Sequence, residues 1–229
     1  MYVWGAYKKI NMTITVIIII ITAIISLAGF RSPKVMDDLI FYPPAITDNK
    51  QYYRFITCGF IHADPGHLFF NMYAFYLFGN ITEEIFNARF GNYGKLLYII
   101  MYVLALIVCV IPSYLKNKTN STYRSLGASG AVSAVVFAYI LFNPLQGVGL
   151  VFIPVYIMGF LFGIIYLVVS YLLDKKGGGR INHSAHIWGA LFGIIFLIVA
   201  SKLFSDYPVL DHFIDSVKNL DPHKIITVP

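Results

Sequence analysis

The sequence predicts an all-α membrane protein, a bundle of six transmembrane helices, and two observations support this fold class. Of its 229 residues, 58% are hydrophobic and only 12% are charged, whereas roughly a quarter of the residues in a soluble domain are charged. A spanning helix needs about 20 apolar residues, so the chain has room for several spans and no separate soluble domain. Six apolar stretches are recognised, at about residues 12–29, 67–82, 95–115, 127–142, 148–173 and 183–204.

These stretches predict one membrane domain over residues 1–204, followed by a short polar tail at 205–229. The first stretch follows Lys8 and Lys9 and is longer than the apolar core of a cleaved signal peptide. It is therefore interpreted as a retained helix.

The longest loop joins the first two spans, at about residues 30–66. It is rich in aromatic residues, whose rings favour the level of the lipid headgroups. We expect this loop to be ordered and partly embedded in the membrane.

The composition also narrows the range of partners. The net charge is +6, but no basic helix or aromatic RNA-binding platform accompanies it, so the positive charge is assigned to loops at the lipid headgroups and nucleic acid is excluded as a partner. The two cysteines, Cys58 and Cys109, imply no disulfide framework and lack metal-ligand spacing. The lipid bilayer is the predicted environment.

Polar residues recur where the second, fourth and sixth spans begin. Because successive spans alternate in direction, these three starts lie on one side of the membrane. The fourth span opens with Gly127-Ala128-Ser129-Gly130, which places a serine at a helix N-terminus, where free amides favour a developing oxyanion. Ser129 is therefore a candidate nucleophile.

A base for this serine is predicted on the sixth span. His186 is followed by Gly189 and Gly193, a small-residue pattern that lets two helices pack closely. Packing against the small residues of the fourth span would bring His186 within hydrogen-bond reach of Ser129 Oγ, as nucleophile activation requires.

The second span adds a pair of hydrogen-bond donors. His67 and Asn71 are four residues apart and share one helical face. Both side chains can donate to an oxyanion beside the Ser129 amide.

Five short motifs occur in order along the chain: Tyr53-Arg54, His62-x4-His67-x3-Asn71, Gly79-x3-Glu83, Gly127-x-Ser129-Gly130 and Ala185-His186-x2-Gly189-x3-Gly193. Together they resemble the rhomboid intramembrane serine proteases over most of the chain. The resemblance implies a six-span rhomboid-like bundle that cleaves single-span membrane proteins with a Ser129–His186 dyad, without a metal or cofactor. Small, helix-breaking residues in the substrate would expose the peptide bond that is cleaved.

The resemblance also implies a multi-pass protein of the plasma membrane with a cytoplasmic N-terminus and an active site toward the outer face. Counting Lys and Arg in the loops mildly favours the opposite orientation. His62 is interpreted as a residue that holds the first loop in place, and Glu83 as a structural cap or a tether between the second and third helices.

Two positions depart from the family pattern. Tyr53 replaces the usual Trp, and Ser133 stands where many members have an aromatic residue beneath the catalytic histidine. Ser133 is therefore expected to leave the ring of His186 less firmly supported.

Two other functions remain open from the sequence. His62, His67, His183 and His186 near one face could belong to a histidine-based metal transporter, although no His-Glu-x-x-His motif is present. A catalytically weak relative that binds membrane-protein clients is the second alternative. Bound metal after purification would favour the transporter.

Overall fold

The computed structural model describes residues 12–150, 153–176, 181–221 and 226–227, and they are mostly helical. In chain order the elements are α1 (Ile14–Arg31), α2 (Pro33–Leu39), α3 (Pro43–Asn49), α4 (Arg54–Thr57), a 3-10 turn (Cys58–Phe60), α5 (Pro65–Phe90), a second 3-10 turn (Gly91–Tyr93), α6 (Gly94–Val108), α7 (Ile111–Asn117), α8 (Ser129–Phe142), β1 (Gly147–Leu150), β2 (Ile153–Met158), α9 (Gly159–Lys176), α10 (His183–Phe204), α11 (Val209–Lys218) and β3 (Ile226–Thr227).

Several helices have the length and composition of membrane spans. Among the described residues, three helical stretches are long and apolar enough to cross a bilayer, namely Ile14–Arg31, Pro65–Asn117 and His183–Phe204. α8 is a shorter apolar helix. Large apolar side chains on the outside of the bundle, such as Ile24 and Ile195, are about 60% exposed, as expected for a surface that contacts lipid.

α8 occupies the centre of the bundle, and its residues from Gly130 to Phe142 are buried. α10 packs against it so closely that a Cβ atom at Gly189 would overlap the carbonyl oxygen of Gly130. One turn further, a Cβ atom at Gly193 would overlap the carbonyl oxygen of Ala134. The small-residue pattern on the sixth span therefore predicted this helix contact correctly.

The third predicted span, 95–115, does not form one continuous helix. α6 ends at Val108, and α7 begins at Ile111. Pro112 lies in the first turn of α7, and a proline lacks the amide proton and clashes with the preceding turn of a helix. The helix is therefore interrupted just before this proline.

The start of the fifth predicted span, 148–173, was wrong. β1 and β2 form an antiparallel hairpin in which Gly147 faces Met158, and α9 begins only at Gly159. β3 adds a third strand by pairing with β2. The segment is apolar and rich in β-branched residues, and Pro154 interrupts any helix there, so hydrophobicity alone could not distinguish strand from helix.

Glu83 joins α5 to the N-terminus of α1. Its carboxylate accepts hydrogen bonds from the amides of Ile14 and Thr15 at 2.9 Å and from the Thr15 hydroxyl at 2.9 Å. Thr15 in turn bonds Tyr98 on α6 at 2.8 Å. Glu83 is thus a cap, as predicted, but the helix that it caps is the first. Its hydrogen bonds connect it to the third helix through Thr15.

The first loop is held in place by the buried guanidinium of Arg54. Its Nη1 donates to the carbonyl oxygens of Asp37 and Ile40, both at 2.7 Å, and Nε donates to Gln51 Oε1 at 2.6 Å. These bonds fix the end of α2 against the start of α4.

The residues after α10 also pack on the bundle. Val209, at the start of α11, is buried, and the Arg89 guanidinium lies 4.0 Å from the centre of the Tyr207 ring.

Candidate active site

A cavity of about 580 Å³ opens between α5, α8, α9 and α10. Ser129, His186, His67 and Asn71 all line it. The structure therefore brings together the four residues that the sequence singled out, although they lie on three different helices. The rest of the lining is largely apolar and includes Phe70, Phe78, Val132, Val136 and Phe162.

Ser129 is the first residue of α8. Gly127, two residues earlier, has a φ of 112°, and its amide donates to the Cys58 carbonyl at 2.8 Å. The amide of Ala128 donates to His62 Nε2 at 3.4 Å. Within the part of the chain that the structure describes, the Ser129 amide has no acceptor, so it is available to an oxyanion.

His62 contacts the backbone just before α8, and both of its ring nitrogens make hydrogen bonds. Because Nε2 accepts from Ala128, the ring proton is assigned to Nδ1, which donates to Ser26 Oγ at 2.9 Å. Ser26 then donates to the Phe60 carbonyl at 2.9 Å. Burial, reinforced by nearby His67, lowers the pKa of His62 to about 3. His62 is therefore a neutral structural residue in this fold.

His67 and Asn71 lie one turn apart near the start of α5. The Ala63 amide lies 3.4 Å from His67 Nδ1 and donates to it, which assigns the proton of the neutral ring to Nε2 and leaves Nε2–H able to donate. Asn71 Nδ2 donates one proton to the His67 carbonyl at 2.9 Å and retains a second. Both residues therefore have a spare donor at the cavity.

Gly127 determines how closely the backbone just before Ser129 approaches the ring of His67. A Cβ atom at Gly127 would lie 2.9 Å from His67 Cε1 and 3.1 Å from His67 Nε2. Only a glycine combines this contact with a positive φ.

Within the described part of the chain, the ring of His186 contacts other rings and makes no hydrogen bond. It stacks on Tyr166 with centroids 5.9 Å apart and planes at 25°, and it meets the edge of His183 at 5.5 Å. Its Nε2 atom is buried and unpaired among the described residues. The predicted Ser129–His186 hydrogen bond is absent from the described contacts, although both residues line one cavity.

Tyr166 was not predicted from the sequence. It lies on α9, and its hydroxyl is 2.6 Å from Ser133 Oγ. The aromatic ring that Ser133 does not provide comes instead from the neighbouring helix, because Tyr166 stacks on His186. The expected weaker support of His186 stays a prediction. One tyrosine among 17 in the chain carries no sequence signal for this role.

Asn182 fixes the start of the helix that carries His186. Its Oδ1 accepts from the Ala185 amide at 3.0 Å, and its Nδ2 donates to Ser125 Oγ at 3.2 Å. Asparagine before a helix is a common N-cap, and this signal was present in the sequence.

The four histidines near this face form two pairs. His62 and His67 meet edge to face at 5.0 Å, and His183 and His186 meet at 5.5 Å. Among the residues that the structure describes, no group of three or more His, Cys, Asp or Glu is arranged to hold a metal ion.

A family model described as Rhomboid domain matches residues 49–203. The match covers more than half of the chain and includes the whole cavity, and the chain therefore belongs to the rhomboid family. The chain is also similar to Rhomboid-like protein 11, chloroplastic, from Arabidopsis thaliana, with 36% identity over 81 residues. This alignment covers 35% of the chain and 26% of that relative, so the chain spans only a minor part of the relative's length.

Proposed function

We propose that this protein is an intramembrane serine endopeptidase that uses Ser129 and His186 as a dyad. The observation that carries the proposal is the cavity itself. It gathers a serine with an available backbone amide, a histidine with no hydrogen-bond partner among the described residues, and two further donors, His67 and Asn71. Rhomboid family membership supports the same chemistry.

In the proposed reaction, Ser129 Oγ attacks the carbonyl carbon of a peptide bond while His186 accepts the hydroxyl proton. The negative charge that develops on the carbonyl oxygen is stabilised by the Ser129 amide, His67 Nε2–H and Asn71 Nδ2–H. His186 then returns the proton to the leaving amine. Water then attacks the acyl carbon while His186 accepts its proton, and His186 returns that proton to Ser129 Oγ as the carboxylic acid product leaves. Catalytic hydrogen bonds are often long in the absence of substrate, so an open dyad is compatible with this mechanism.

The proposed substrates are single-span membrane proteins. Below Ser129 the cavity is lined by Phe70, Phe78 and Val136, which suit an apolar side chain from a transmembrane segment. Small, helix-breaking residues in that segment would let the chain unwind and enter in an extended form.

We further propose six passes through the membrane, formed by α1, α5, α6, α8, α9 and α10, as one domain over residues 1–204. α5 and α6 both lie in the 53-residue stretch Pro65–Asn117, which is long enough for two passes. The starts of α5, α8 and α10 then share one face, which we assign to the outer side of the plasma membrane, with the first loop partly embedded at that level.

A fluorophosphonate probe tests the proposal directly, because it reacts with a serine only when a base activates it. The purified protein in detergent should be labelled at Ser129, identified by mass spectrometry, and should cleave a model single-span substrate. Ser129→Ala and His186→Ala should abolish cleavage. Ser121→Ala, in an exposed loop, and His212→Ala, on α11, serve as matched controls. Full cleavage by Ser129→Ala would rule out the mechanism.

Binding of membrane-protein clients without cleavage is a second candidate, favoured by the missing hydrogen bond between Ser129 and His186. The same experiment separates the two, because a client-binding protein would retain the substrate without labelling or cleavage. The metal-transporter alternative is weakened, because both nitrogens of His62 are already engaged. Stoichiometric metal in the purified protein would restore it.

A further inference from the structure

Among the described residues, the one ring that stacks on His186 is Tyr166 of α9. In the described residues neither ring nitrogen of His186 has a hydrogen-bond partner, and Nε2 is buried. The face of the ring lies on Tyr166, with planes at 25°. The edge contact with His183 comes from the same helix, one turn away, so it moves with His186. Tyr166 is the ring contact that holds His186 from another element.

Tyr166 is itself tied to the residue that carries the nucleophile. Ser133 Oγ donates to the carbonyl oxygen of Ser129 at 2.8 Å, and a serine hydroxyl has only one proton. The 2.6 Å contact between Tyr166 and Ser133 is therefore assigned as a bond that the tyrosine donates. A directed chain runs from the Tyr166 hydroxyl through the Ser133 hydroxyl to the Ser129 backbone.

This chain of hydrogen bonds matters because most residues of α9 are exposed or only partly buried. Of its 18 residues, the buried ones are Gly159, Gly163 and Ser170. Ser133, in contrast, is 3% exposed and sits on the central helix. A hydrogen bond away from water is stronger than one at the surface. The bond to Ser133 thus fixes the one α9 side chain that supports His186.

We propose that Tyr166 and Ser133 are positioning residues for the dyad: the Tyr166 ring holds His186 by stacking, and Ser133 locks that ring to the backbone of Ser129. The inference rests on the proposed protease function. Under this proposal, residues of α8 and α9 together support the ring of His186, whose support the sequence alone placed in doubt.

The test compares variants that remove the ring with variants that remove only the hydrogen bond. Tyr166→Leu loses both and should lower kcat about 100-fold, the scale of a misplaced catalytic group. Tyr166→Phe keeps the stack, and Ser133→Ala keeps the tyrosine. Tyr166→Phe should lower kcat about three- to tenfold, as expected for one hydrogen bond. Ser133→Ala should lower kcat at least as much, because it also removes the bond to the Ser129 carbonyl oxygen. Tyr171→Leu and Tyr171→Phe, at an exposed tyrosine on the same helix, are the matched controls.

Two readouts distinguish positioning from a merely structural role. KM for the model substrate should change less than about twofold while kcat falls, and the rate of fluorophosphonate labelling at Ser129 should fall in parallel with kcat. The double variant Ser133→Ala/Tyr166→Phe should be no slower than Ser133→Ala alone, because Ser133→Ala already removes the bond that Tyr166→Phe removes.

The outcomes separate this inference from the proposed function. An unlabelled wild-type protein that cleaves nothing overturns both. An active wild-type protein whose Tyr166 variants match the Tyr171 controls overturns the positioning role alone. If Tyr166→Leu fails to fold, the double variant decides. Losses that multiply contradict the shared bond, and a double variant no slower than Ser133→Ala supports it.

Discussion

Gly189 lies against the backbone carbonyl of Gly130, with no room between them for a methyl group. The contact sets the spacing between the helix that carries His186 and the helix that begins at Ser129. We expect Gly189→Ala to push these helices apart, to lower the free energy of unfolding by about 1–3 kcal/mol and to reduce cleavage. Thermal unfolding in detergent and the cleavage rate measure both effects.

A matched control for this substitution is Gly29→Ala on α1. There the nearest atom to the new methyl group is the flexible Met36 Cε at 3.4 Å. Equal stability and activity of the two variants would contradict the role assigned to the close helix contact.

Gly127 provides a second steric test. Gly127→Ala would add backbone strain at a φ of 112° and place Cβ 2.9 Å from His67 Cε1. We expect the His67 ring to move, with a loss of at least about tenfold in kcat, since a displaced oxyanion donor is costly. Gly91→Ala is a control for the strain of a positive φ, because φ is 52° there and, among the described residues, no atom beyond its chain neighbours lies within 4 Å of a Cβ at this position. Similar activity losses in both variants would show that strain alone is responsible.

Asn71→Ala tests the proposed oxyanion donor. Loss of one such donor costs about 2.7–4 kcal/mol in the barrier, or about 100- to 1,000-fold in kcat, whereas KM should change little. Asn80→Ala is a suitable control, because Asn80 Nδ2 donates to the carbonyl four residues earlier at 2.8 Å, as Asn71 Nδ2 does at 2.9 Å. Steady-state kinetics on a model substrate give the answer, and an unchanged kcat would remove Asn71 from the mechanism.

Glu83→Gln should destabilise the bundle without changing the chemistry. The carboxylate accepts three hydrogen bonds from α1, and an amide would present an N–H group to at least one of these donors. We expect a loss of about 1.5–3 kcal/mol, the range for hydrogen bonds to a charged group. Glu84→Gln, at the exposed neighbouring position, should unfold like the wild type. If Glu83→Gln unfolds at the same midpoint as the wild type, the assignment of Glu83 as a cap of α1 would be contradicted.

The pKa of His62 predicts a stability that depends on pH. Burial lowers the pKa of His62 from 6.5 to about 3 in the folded protein, so the unfolded chain binds a proton first as the pH falls. The contribution to stability is full above pH 6.5 and is lost between pH 6.5 and 3, with a slope of up to about 1.4 kcal/mol per pH unit. Nearby Asp64 opposes the shift and His67 reinforces it.

Unfolding midpoints measured between neutral and acidic pH test this expectation. His62→Gln should show a shallower loss of stability below pH 6.5 than the wild type. An unchanged slope in His62→Gln would assign the acid sensitivity to other groups.

The sequence predicted the residues of the cavity better than the elements around it. Ser129, His186, His67 and Asn71 were found because helix alternation and short spacings place them on one face. Tyr166 was missed because its partners, Ser133 and His186, are 33 and 20 residues away, and a contact between helices leaves no local pattern. The strands at 147–158 were missed because an apolar, β-branched run satisfies both a buried strand and a spanning helix.

The length of α8 has a consequence for the chemistry. With 14 residues it is about 21 Å long at 1.5 Å per residue, whereas the hydrocarbon core of a bilayer is about 30 Å thick. In the six-span arrangement proposed above, a helix of this length leaves at least one of its ends below the surface of the hydrocarbon layer, unless the bilayer thins around it. If that end is the one that carries Ser129, the proposed hydrolysis needs water at a depth where water is scarce. The polar side chains around Ser129 would then keep a water molecule within reach of the acyl group.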